Sequence, residues 1–116
     1  MKKINIIKNS RDFDRIIKKN KPYIYKDYII YIERDTNDYY KFGISAGKKL
    51  GNAVNRNKIK RQIKSIIDQN DYQNNFNCII IVGKEINKKN FEERKNNLLI
   101  ALSNLNIIKE NRDEKK

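Results

Sequence analysis

The residues of this chain best suited to chemistry are cations, not acids, bases or nucleophiles. The segment Lys48-Lys-Leu-Gly-Asn-Ala-Val-Asn-Arg-Asn-Lys-Ile-Lys-Arg-Gln-Ile-Lys64 lies within a stretch, 39–67, that contains no Asp or Glu. Eight unopposed charges fall in that stretch: Lys41, Lys48, Lys49, Arg56, Lys58, Lys60, Arg61 and Lys64. Each arginine offers a planar fork that grips phosphate bidentately, each lysine a point charge, and Asn57 an amide able to read a base edge or a 2′-hydroxyl. Such a field is the footprint of a surface that holds phosphates. The plainer reading is a solvated lysine-rich helix face, but those faces usually interleave Glu at i, i+4, and here there is none.

The whole chain leans the same way. Lys and Arg number 27 against 14 Asp and Glu, a formal charge of +13 on 116 residues. That imbalance suits a polyanion, whether RNA, DNA or an acidic membrane, and does not choose among them. Ile, Asn and Lys make up more than half of the chain, as an AT-biased genome would encode, so the clustering of lysine carries more weight than its abundance. There is no histidine, and the single cysteine, Cys78, cannot form an internal disulfide. The chain therefore has no imidazole for general-base work or zinc binding, and its cysteine usage fits a reducing cytoplasm. Cys78 lies in the apolar run Cys78-Ile-Ile-Ile-Val82 and reads as a small buried hydrophobe. Asp68 and Asp71, the carboxylates nearest the basic segment, read as helix-end and loop groups more than as magnesium ligands. No residue is assigned a catalytic or metal-binding role, and no small-molecule substrate is implied. No apolar run approaches the roughly 18 residues that a bilayer span requires, and no signal-peptide core opens the chain, so no membrane partner is expected.

The basic segment needs elements to position it. Asn52 is placed to cap a helix running to about Gln69, with Ile59, Ile63, Ile66 and Ile67 on one face and Arg56, Lys60 and Lys64 following at i, i+4, i+8. Gly47 and Gly51 punctuate the loop that carries Lys48 and Lys49. Upstream, Ser10 can cap a helix over Arg11–Lys19 whose Phe13, Ile16 and Ile17 form an apolar stripe, and Pro22 then favours an extended start. Tyr23 to Glu33 reads as strand, in two pieces if parted near Lys26-Asp27, followed by a turn at Asp35–Asp38 and a further strand from Tyr39 to Ala46. Downstream come a polar connection, a strand over Cys78–Val82 of the kind buried on both faces, and a last amphipathic helix over Asn90–Asn106. The order predicts an α+β sandwich with helices packed on a sheet, one domain over 1–108, and a charged tail over 109–116 expected to be disordered. Strands rich in Tyr and Phe, with no helix-turn-helix or zinc-finger spacing, lean toward RNA as the partner.

The run Phe42-Gly-Ile-Ser-Ala-Gly-Lys-Lys-Leu-Gly-Asn-Ala-Val-Asn-Arg-Asn-Lys-Ile-Lys-Arg-Gln-Ile-Lys64 resembles the signature of the bacterial ribonuclease P protein component. The likeness is close over the central third, and the rest agrees in element order, length and charge. It implies a helix-strand-strand-strand-helix-strand-helix sandwich, ribosomal protein S5 domain 2-like, with a left-handed βαβ crossover where pattern reasoning alone favours the right-handed form. It also implies a ribonucleoprotein endoribonuclease whose catalyst is the RNA subunit with its magnesium ions. The protein would bind that RNA and the single-stranded 5′ leader of precursor tRNA.

Carried over by position, the family's arginine-rich motif falls on Arg56, Asn57, Lys60, Arg61 and Lys64, with Lys58 beside it and Lys48 and Lys49 extending the surface. The leader cleft would fall on Phe13, Ile17, Tyr31 and Ser45, each of which can also be read as core packing. Lys58 and Lys64 stand where arginine is common, losing the fork, and Ile17 where an aromatic is common, losing stacking. Ile6 stands where a basic residue is usual and Gly47 where serine is usual. Two rivals remain at this point: a structural ribosomal protein of the same layout, and a protein-only nuclease using Asp68 and Asp71.

Overall fold

The computed structural model describes residues 1–34 and 38–109. The turn expected at Asp35–Asp38, apart from Asp38 itself, and the tail from residue 110 lie outside the described residues. Within them the elements run α1 (Ser10–Lys19), β1 (Tyr23–Tyr25), β2 (Tyr28–Arg34), β3 (Lys41–Ser45), α2 (Ala53–Ile67), β4 (Phe76–Val82) and α3 (Phe91–Asn104). Short 3₁₀ turns at Lys3–Asn5, Lys48–Leu50 and Lys84–Lys88 punctuate them. The expected element order is present, with the Tyr23–Glu33 stretch parted into a hairpin at Lys26-Asp27, where Lys26 adopts a positive φ of 52°.

All three α-helices begin on asparagine. Asn52 Oδ1 accepts from the Asn55 N–H at 3.0 Å and Asn90 Oδ1 from the Glu93 N–H at 2.9 Å. The cap of α1 is a correction: Asn9 Oδ1 accepts from the Arg11 N–H at 2.8 Å, and Ser10, expected as the cap, is the first helical residue. Either side chain can satisfy an orphan N–H, and Asn9 has the extended backbone that a cap needs.

The sheet has the order β1-β2-β4-β3. β4 pairs antiparallel with β2 and parallel with β3, so α2 is the connection of a β3-α2-β4 unit. Alternation along the strands then assigns two faces. Tyr28, Ile30, Phe42, Cys78, Ile80 and Val82 join Ile59, Ile63, Ile66 and Ile67 of α2 and Leu98, Ala101 and Leu102 of α3 in the main core. On the other face Ile79, with Ile7 and Ile16 of the α1 region, forms a second, smaller core, against which Phe13, Ile17, Tyr31 and Ile81 pack. β4 is thus covered on both faces, as its unbroken apolar run predicts, and burial raises the affinity of the Cys78 thiol for its proton well above the usual range.

Gly43 makes the smaller core possible. A Cβ built there would lie 2.6 Å from Phe13 Cζ and 3.0 Å from Ile79 Cδ1, so the absence of a side chain on β3 lets the Phe13 ring lie across the strand. Gly43→Ala should therefore destabilise the fold by about 1–3 kcal/mol through overpacking. Urea denaturation should show a smaller loss when the same change is made on a Phe13→Leu background. Equal losses on both backgrounds would show that Phe13 is not the neighbour being displaced.

Candidate nucleic-acid interface

The basic helix meets three different environments around its circumference. Ile59, Ile63, Ile66 and Ile67 are buried against the sheet. On one flank Gln62 Oε1 accepts from Arg94 Nη1 of α3 at 2.8 Å, and Asn55 Nδ2 donates to Asn87 Oδ1 at 2.9 Å, so that flank is taken up by protein. The opposite flank carries the cations. At 3.6 residues per turn, Arg56, Lys60, Lys64, Asn57 and Arg61 fall within an arc of about 140° beside the apolar stripe. Lys58 lies roughly 60° farther round, on the outward side, and so stands apart from the group. Asn57, Lys58, Arg61 and Lys64 are exposed, while Arg56 and Lys60 are half-buried.

Arg56 does two things at once. Its Nε donates to the Ala46 carbonyl at 3.1 Å, which fixes the guanidinium plane against the end of β3. The terminal nitrogens can still serve as a fork, and a fork held in place loses less entropy when it grips a phosphate. Lys48 and Lys49, expected in an open loop, sit instead in the 3₁₀ turn Lys48–Leu50, both exposed, with buried Leu50 anchoring the turn. No acidic side chain interrupts α2; the first beyond it, Asp68, ion-pairs with the Met1 amine at 2.8 Å.

The four residues expected to form a cleft share one face of the sheet region. Tyr31 of β2 and Gly43 of β3 both lie opposite Ile79 of β4, one on either side, and Ser45 lies opposite Ile81. Phe13 and Ile17 project from α1 over this surface. Phe13, Ile17 and Tyr31 pack on the smaller core yet remain half-exposed, so they serve the packing and also present open ring and alkyl surface. Ser45 is half-exposed beside them. One end of this face is closed by a polar cluster that the sequence does not reveal. Arg15 donates to Glu33 at 3.0 and 3.3 Å and to Asp12 at 2.6 Å, and Asn77 donates to Glu33 at 2.9 Å. Hydrogen bonding to Glu33, then to Asp12, holds the guanidinium firmly protonated.

At the edge of β3 the two surfaces meet. A cleft of about 320 Å³ is lined by Phe13 and Lys8 from the α1 side, by Ile6, Ile7, Phe42 and Ile44, and by Lys60 and Lys64 from the basic helix. The Ile7 N–H donates to the Phe42 carbonyl at 2.9 Å, so the N-terminal segment covers part of this edge and brings Lys8 to the cleft. Sequence reading missed Lys8, Phe42 and Ile44 here. Strand alternation puts Phe42 and Ile44 on the main-core face, and only their position on an edge strand lets them line a cleft that reaches the other face.

Among the described residues no group of three or more His, Cys, Asp or Glu gathers to hold a metal ion. Nor is any helix of the described residues long and apolar enough to cross a membrane.

Comparisons with known proteins point to a single family. The family model described as Ribonuclease P matches residues 1–106. The ribonuclease P protein component of Mesoplasma florum is 38% identical over 101 residues, covering 84% of this chain and 92% of that protein. That of Streptococcus agalactiae is 31% identical over 109 residues, covering 93% of this chain and 100% of the relative. Among solved structures, the RNase P protein of Staphylococcus aureus superposes with a TM-score of 0.82 at 30% identity, covering 90% of this chain and 98% of that one. The Thermotoga maritima protein gives 0.71 at 27%, covering 80% and 90%. Sequence similarity over residues 1–106 and likeness of fold converge, and the chain belongs to the bacterial ribonuclease P protein family.

Proposed function

We propose that this chain, as the protein subunit of ribonuclease P, docks on the catalytic RNA through α2 and the Lys48–Leu50 turn. The face between α1 and the sheet then holds the 5′ leader of precursor tRNA. The observation that carries this reading is the cleft at the edge of β3, where Phe13 and Lys60 line one cavity. A single strand leaving the phosphate-binding helix can therefore pass directly onto the apolar face of Phe13, Ile17 and Tyr31. On the helix the cations supply affinity by releasing counterions from the RNA. On the sheet face the rings supply stacking surface, which tolerates any base because every base has a π-face.

In this reading the bond-breaking chemistry belongs to the RNA and to magnesium ions held mainly by it. The chain has no histidine, and Asp68, the carboxylate nearest the basic helix, is engaged by the Met1 amine. What the protein contributes is position and charge: fixed cations beside the scissile phosphate lower the magnesium concentration at which the complex works. The family assignment does not favour the structural ribosomal protein considered above, and the pairing of Asp68 with the Met1 amine weighs against a protein-only nuclease built on Asp68 and Asp71.

The direct test is cleavage of a 5′-extended precursor tRNA at low magnesium by a bacterial ribonuclease P RNA alone, by this protein alone, and by the two together. Cleavage only in the mixture supports the division of labour, and cleavage by the purified protein alone overturns it. Because Arg61 and Lys64 are exposed, Arg61→Ala with Lys64→Ala should leave stability near wild type. The same pair should lower the slope of log affinity for the RNA against log salt by roughly 1.4–1.8, at 0.7–0.9 per phosphate contact. An unchanged slope would remove phosphate docking from this flank.

Tyr31→Leu keeps apolar packing on the smaller core and loses the ring. With stacking worth about 1–3 kcal/mol per base, it should weaken binding of leader-bearing precursor tRNA by roughly five- to 160-fold while sparing mature tRNA. Equal losses for the two substrates would place Tyr31 outside the leader path.

A further inference from the structure

The lysine pair at 48 and 49 is held more tightly than its place in an exposed turn would suggest. Its two flanks are pinned by different elements. Before it, the Ala46 carbonyl accepts from Arg56 Nε at 3.1 Å. After it, the Leu50 carbonyl accepts from the side-chain amides of both Asn55 and Asn87, the latter at 3.3 Å, and these two amides are joined to each other at 2.9 Å. The turn itself closes through the Leu50 N–H on Gly47 and the Gly51 N–H on Lys48, each at 3.1 Å. Gly51, at a φ of 107°, then reverses the chain into the Asn52 cap, a conformation that a side-chain-bearing residue adopts only under strain. Leu50 is only 1% exposed, and its carbonyl accepts both bonds in partly buried surroundings, where an unpaired acceptor would be costly.

Asn87 is the unexpected member of this arrangement. It comes from the Lys84–Lys88 turn after β4, far along the chain, and belongs to neither the basic segment nor the cleft. We infer that Asn87 is a positioning residue for RNA docking: with Asn55 it clamps the Leu50 carbonyl and so presents Lys48 and Lys49 to the RNA as a fixed pair. Without the clamp the two long side chains would still be present, but their backbone would have to be ordered on binding. The cost of that ordering is paid from the affinity.

This inference rests on the docking role proposed for Lys48 and Lys49, and the test separates the two. Affinity of the full chain for a bacterial ribonuclease P RNA transcript is measured across a salt series for four proteins: wild type, Asn87→Ala, the pair Lys48→Ala with Lys49→Ala, and all three changes together. Asn87→Ala should weaken binding about three- to tenfold. On the background lacking both lysines it should cost less than about twofold, because nothing remains to position. Additive losses on the two backgrounds overturn the clamp and leave lysine docking intact. A lysine pair whose removal does not change the salt slope overturns docking by this turn, and the clamp with it. Asn55→Ala serves as the second probe: it removes the other arm of the same clamp, so its effect should not add to that of Asn87→Ala. Denaturation midpoints measured alongside separate loss of fold from loss of positioning, since a purely structural role would move stability without coupling to the lysines.

Discussion

The architecture depends on a single constraint: the centre of β4 is closed to water on both faces. Cys78, Ile79 and Ile80 are all fully buried, although successive residues point to opposite sides of the sheet. Each such side chain contributes about 1.5–3 kcal/mol only if it is covered, so helices are required on both faces. α1 covers one, and α2 with α3 covers the other. Because β3 runs parallel to β4, the chain must cross from one end of the sheet to the other between them, and the crossing element is α2. The basic helix is therefore held at the β3 side of the sheet, at the edge where the cleft opens. Its position is a consequence of strand pairing, not of its charge.

The same helix shows how a surface can be strongly cationic without weakening the fold. Its apolar stripe is given to the sheet, one flank to Arg94 and Asn87 through Gln62 and Asn55, and the other flank to solvent. Cations gathered on the free flank repel one another, but they do so facing water, where charges are well screened. The protein-facing flank uses neutral amides as partners, so no buried carboxylate is placed where it would cancel the field. Arg94 fits the same plan from the far side: it bridges α3 to α2 and, through Nε, to the Ile86 carbonyl at 3.1 Å.

How much of this was legible in the sequence depended on how local each signal was. The isoleucine periodicity of α2, the Asn52 cap and the unbroken apolar run of β4 are local patterns, and the structure follows each of them. The α1 cap moved by one residue because Asn9 and Ser10 are both able caps and only the backbone geometry chooses between them. The i, i+4 spacing of the α2 cations is likewise local and puts Arg56, Lys60 and Lys64 on one flank, whereas the separation of Lys58 follows from the position of the buried stripe. The roles of Lys8, Asn87 and Glu33 were invisible for a common reason. Each depends on contacts between segments distant in the chain, as when Arg15 reaches Glu33 eighteen positions away and Asn55 reaches Asn87 thirty-two positions away.

The half-buried aromatics are held by the same kind of compromise between cover and exposure. A ring lying fully on the surface must be immobilised when a base stacks on it, whereas a fully buried ring offers no surface. Phe13 and Tyr31 lie between these limits: their inner surfaces pack on Ile79 and Ile16, which fixes their orientation, and their outer surfaces stay open. For Phe13 that arrangement requires Gly43 beneath the ring, since any side chain there would lift it from the strand. The smaller core is thus more than packing left over from the main one. In the proposed role it uses the burial energy of a few apolar side chains to pre-order a contact surface for the leader, much as the bond from Arg56 to a backbone carbonyl holds a guanidinium in place on the neighbouring helix.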